Sequence, residues 1–146
     1  MAGWVADSRN NKRQYVHERV RWIVEQQAAT LTQLGDALRD LVEAVQVVLK
    51  DKQRTHIQSG LWPARVGASD SEWAARSRAF VLSERLQDKT LRDAVDDLTT
   101  VTTDAVEAVS GEAARGKTFE AVGRWGDVNK RLGVALRDLY PEQPKR

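Results

Sequence analysis

The sequence predicts an all-α protein: an antiparallel helical bundle of one long N-terminal helix and three shorter helices, in a single domain over residues 1–146. Three observations predict it. Leu31, Leu34, Leu38, Leu41, Val45 and Val48 recur at alternating spacings of three and four, the seam of a helix packed on a near-parallel neighbour. Three later segments carry apolar residues at helical spacing. Between them fall the residues that stop and start helices, Ser59-Gly60, Pro63, Ser69, Asp88 and Gly111.

The first helix is expected over about 8–58. Its register runs back from Leu31 through Gln27, Val24 and Val20 to His17, with Asp7 or Ser8 as cap and Ser59-Gly60 as the stop. Gly35 lies inside the run, so a local bend or a close helix contact is expected there. The loop GLWPARVGAS follows, where Pro63 drives Trp62 out of helical geometry.

The second helix is expected over 70–87, opened by a capping box in which Ser69 is the cap and Glu72 reaches back to it. Ala75, Ala79, Leu82 and Leu86 share one face, while Trp73 and Phe80 fall nearly opposite. Either the loop residue Trp62 folds over this pair and makes it core, the reading favoured here, or Trp73, Phe80 and Trp62 form a candidate partner surface. The third helix is expected over 91–110, with Thr90 and Asp93 as a capping pair. Its core stripe is Leu91, Val95, Leu98, Thr102, Ala105 and Val109. LTTVTT alone favours a strand by propensity, but the helical period holds for five turns and decides it. Gly111 would close this helix in a left-handed conformation. The fourth helix is expected over 118–140, capped by Thr118, with Trp125, Val128, Leu132, Leu136 and Leu139 on its core face. Gly126 and Gly133, on another side, would allow a backbone to approach. The tail PEQPKR is expected to fray.

Residues 111–118, GEAARGKT, match the phosphate-loop pattern G-x-x-x-x-G-K-[ST]. Such a loop joins a buried parallel strand to a helix, and its strand must be almost wholly apolar. The preceding AVEAVS continues a helical stripe that carries Asp104 and Glu107, and only about thirty residues remain for the rest of a sheet. The nucleotide-binding reading of Gly111–Thr118 therefore ranks third among the functions considered. A weak anion site at Arg115, Lys117 and Thr118 asks for less.

Other chemistry is sparse. No cysteine is present, so thiol nucleophiles, disulfides and thiolate metal sites are excluded. His17 and His56 are far apart on one helix and cannot share a metal within one chain. No carboxylate pair is set in a catalytic motif, and neither G-x-S-x-G nor H-E-x-x-H occurs. No catalytic residue, metal or cofactor is therefore expected.

Charge is nearly balanced, with 23 Lys and Arg against 21 Asp and Glu, but it is segregated. Asp93 to Glu112 holds six acidic residues and no basic one. Arg9, Lys12, Arg13, Arg19 and Arg21 are interleaved with Tyr15 and Trp22, a candidate nucleic-acid contact. Against it stand Glu18, Glu25 and the absence of a helix-turn-helix; the simpler reading is a solvated helix start whose Tyr15 and Trp22 pack on the fourth helix. No stretch is apolar enough for a membrane span, and MAGWVADSRNNKR lacks the apolar core of a signal peptide, so a cytoplasmic location is the default expectation. The Arg-, Ala- and Val-rich texture suggests a high-GC bacterial or phage source. The leading functional reading is a non-enzymatic interaction or scaffold module with a protein partner or itself, as a homodimer. A weak nucleic-acid-binding accessory protein is the alternative.

Overall fold

A computed structural model describes residues 2–63 and 69–140, with side chains described from residue 11 onward. Four helices form in chain order: α1 (Ala2–Ser59), α2 (Asp70–Glu84), α3 (Lys89–Glu107) and α4 (Gly111–Asp138). No strand occurs among the described residues, and LTTVTT lies within α3. α1 packs against the other three helices, and α3 packs against α2 and α4. α2 and α4 do not meet, so they occupy opposite corners of an antiparallel bundle.

The periodic residues fill the core. Leu31, Leu34, Ala37 and Leu38 of α1 are buried against Ala79, Leu82 and Leu86, Leu91, Val95 and Leu98, and Val128 and Leu132. A second cluster joins Leu41 and Val45 to Ala75, Ala105 and Val106. Burying each such aliphatic side chain stabilises the fold by about 1.5–3 kcal/mol before the entropy of ordering is subtracted. Val109 departs from the expected stripe and is 91% exposed, because α3 ends at Glu107 and Ala108 turns extended.

The helix ends differ from expectation in instructive ways. α1 begins at Ala2, so Asp7 and Ser8 lie inside it and do not cap it. It stops as expected: Gly60 takes a φ of 75°, and its amide donates to the His56 carbonyl at 2.8 Å. Ser69 caps α2 by accepting from the Glu72 amide at 3.1 Å, but the Glu72 carboxylate turns to Arg76 instead of closing the box. α2 ends at Glu84, three residues early, in a tight turn that leaves Leu86 buried. Asp88, not Thr90, caps α3 through the Leu91 amide.

The largest correction concerns α4. Ser110 caps it, accepting from the Ala113 amide at 3.1 Å, and the helix starts at Gly111, seven residues before Thr118. Gly111 is helical and no left-handed cap closes α3. Ser110 followed by Glu112 in the first turn is itself a good start signal, and the glycines of the phosphate-loop pattern obscured it. A Cβ added at Gly35 would meet Leu132 of α4 at an ordinary van der Waals distance of 3.7 Å, so the packing of α1 on α4 there does not require a glycine. Open space lies around Gly126 and Gly133, so no backbone approaches them. Residues 64–68 of the GLWPARVGAS loop and the tail PEQPKR lie outside the described residues.

α1 outruns the bundle. At 1.5 Å per residue its 58 residues extend about 87 Å, and the first buried residue among its described side chains is Leu31. From residue 11 to residue 30 no side chain is buried. This segment is the arm.

Candidate functional site

The phosphate-loop pattern forms no loop. Residues Gly111–Thr118 make the first two turns of α4, with no strand before them among the described residues. The Thr118 hydroxyl donates to the Ala114 carbonyl at 2.7 Å, and Lys117 meets Glu120 at 3.5 Å. Gly111 matters for a different reason: Trp62 lies over it, and a Cβ there would meet the indole ring at 3.2 Å.

Of the candidate anion residues, Arg115 and Thr118 line a groove of about 620 Å³ between α1 and α4, together with Leu49, Trp62, Phe119 and Val122. Lys117 does not line it. Phe119 is 83% exposed at its edge. Glu120 is held below the usual carboxylate range, first by its hydrogen bond from Arg124 and then by the Lys117 charge. The same Arg124 reaches Asp97 on α3 at 3.6 Å and ties α4 to the acidic helix.

The three candidate partner residues separate. Trp62 does not cover Trp73 and Phe80. Its indole N–H donates to the Ala108 carbonyl at 3.0 Å, and its ring stands edge-on to His56 at 6.0 Å. Trp73 and Phe80 are 65% and 62% exposed, so the core reading of this pair is wrong. They form one wall of a groove of about 640 Å³ between α2 and α3. α2 has its small face, Ala75 and Ala79, against the bundle, which leaves the aromatic face outward.

Arg76 fixes the floor of this groove. It donates to the Thr99 carbonyl at 2.7 Å, to the Thr102 hydroxyl at 3.1 Å and to the buried Glu72 carboxylate at 2.9 Å. Arg92 donates to the Leu86 carbonyl. Both guanidiniums are engaged within the chain, whereas Glu84 and Asp96 on the rim have no ion-pair partner among the described residues. Asp93 pairs with the exposed Lys89 at 3.2 Å.

Lys12, Arg13, Arg19 and Arg21 are all exposed on the arm; the side chain of Arg9 lies outside the described residues. Tyr15 and Trp22 are exposed too and do not pack on α4. Val16, Val20 and Ile23 remain uncovered, in line with the seam that Leu31 and Leu34 continue into the core.

His17 is exposed on the arm and His56 sits beside Trp62, and no cluster of metal-ligating side chains occurs among the described residues. No helix there is long and apolar enough to cross a membrane. Sequence reasoning missed Lys52, which is buried and donates to the Val106 carbonyl at 2.6 Å near the end of α3. A lysine on a mostly polar stretch of α1 gave no signal of that role. Comparison with protein-family models, curated proteins and solved structures finds no match to this chain.

Proposed function

We propose that the protein is a non-enzymatic helical interaction module that self-associates through the arm of α1. One observation carries this reading: the apolar seam that packs the bundle continues for about two turns as Val16, Val20 and Ile23, all left exposed by the described residues. Large side chains aligned on one helix face gain stability only when another surface removes them from water. Light scattering on a sizing column tests it, with a dimer expected at micromolar concentration. A monomer at high micromolar concentration would sink the reading.

Four exposed cations on the same arm support a second reading, weak nucleic-acid binding. Its signature is binding to a generic duplex, measured by fluorescence anisotropy, that falls steeply with salt. Binding that ignores salt, or no binding at low salt, removes it.

A further inference from the structure

We infer that the arm of one copy docks in the α2–α3 groove of a second copy; this rests on the self-association proposed above and says where that contact is made. The arm has a polarity around its axis. At roughly 100° per residue, Val16, Val20, Ile23 and Gln27 centre one stripe, and Lys12, Arg13 and Arg19 lie roughly 40–80° from that centre. Glu18 and Glu25 fall on the opposite side, roughly 160–180° away. The apolar stripe is therefore edged with cations, and its carboxylates point away from whatever covers it.

Pairing two arms stripe to stripe brings like charges together. The α2–α3 groove offers the complement. Trp73, Phe80 and Val81 give it an exposed apolar wall, and Glu84, Asp93 and Asp96 give it an acidic rim. Its two guanidiniums, Arg76 and Arg92, are already bonded to main-chain carbonyls of their own chain. Beyond the rim, Asp104 and Glu107 continue the acidic face of α3. The lengths agree as well. The groove walls run from Trp73 to Glu84 and from Arg92 to Thr103, each about 18 Å of helix. Lys12 to Ile23 on the arm spans the same distance. Such an arrangement is an amphipathic helix laid in an apolar groove, with opposite charges setting the partner.

Charge exchange tests the contact. One chain carries Lys12→Glu, Arg13→Glu and Arg19→Glu; the other carries Glu84→Lys, Asp93→Lys and Asp96→Lys. All six positions are on the surface, and circular dichroism melts confirm that each chain folds. In sedimentation equilibrium, each variant alone should show a self-association Kd raised at least tenfold. An equimolar mixture should recover a complex of wild-type affinity, because each arm then meets a groove of opposite sign. If the groove-reversed chain associates like wild type, the groove placement is overturned while self-association stands, with arm meeting arm. If the wild-type chain is monomeric throughout, both are overturned.

Discussion

The indole of Trp62 donates its N–H to the carbonyl of Ala108 at 3.0 Å, so the residue just past α1 closes the corner between α3 and α4. The bond answers a need: Ala108 lies past the end of α3, where carbonyls lack a helical partner. It also holds the ring over Gly111, where an added Cβ would lie 3.2 Å from it.

Gly111→Val should therefore destabilise the fold by about 1–3 kcal/mol through overpacking, with no left-handed strain involved. Urea unfolding measures this. In a Trp62→Ala background the same substitution should cost much less, and equal costs in both backgrounds would refute the contact.

Lys117→Ala should melt within about 0.5 kcal/mol of wild type, since its one described partner is a half-exposed Glu120. The wild-type chain should show no saturable ATP or GTP binding with magnesium by calorimetry. Micromolar binding lost on Lys117→Ala would overturn the helical assignment of residues 111–118.

Glu120 gives a pH signature. Its carboxyl titrates below the ordinary value of 4.5, chiefly because Arg124 donates to it. A depressed folded value means that the stabilisation is in place above 4.5 and is lost as pH falls through the lowered value. Arg124→Ala should move the Glu120 titration upward, as read by carbon-detected NMR; an unmoved titration refutes the assignment.

Arg76→Ala should cost about 3 kcal/mol, because it strands the buried Glu72 carboxylate, whose second oxygen already has no hydrogen-bond partner. Adding Glu72→Gln should recover part of that loss, which separates the stranded charge from lost packing. Trp73→Ala, at an exposed position, should by contrast stay within about 0.5 kcal/mol of wild type.

Much of the bundle was legible because burial and helical period are the same information. Leu31 through Val45 and Leu91 through Ala105 had to face inward once they were helical. Helix starts were harder, since Ser110 and Thr118 both offer capping side chains ahead of the α4 core stripe, as Asp88 and Thr90 do ahead of that of α3, and side-chain type alone does not choose between them. The aromatic surface was harder still. Trp73 and Phe80 could be covered or bare according to where the loop placed Trp62, and no local pattern encodes that placement. The arm's cations were visible in sequence. That the bundle stops short of them was not, because it depends on where three other helices end.

Because α1 is one unbroken helix from Ala2 to Ser59, the arm and the bundle share a single axis and turn together like a shaft fixed to its wheel. Each residue added between them rotates the arm's apolar stripe by about 100° and advances it by about 1.5 Å. A single alanine inserted after Ala29 should therefore aim the stripe away from any surface the bundle has positioned for it, whereas seven inserted alanines should restore its aim to within about 20°. Association lost with one residue and regained with seven would make the helix a gear whose phase, and not merely whose length, decides what the protein can hold.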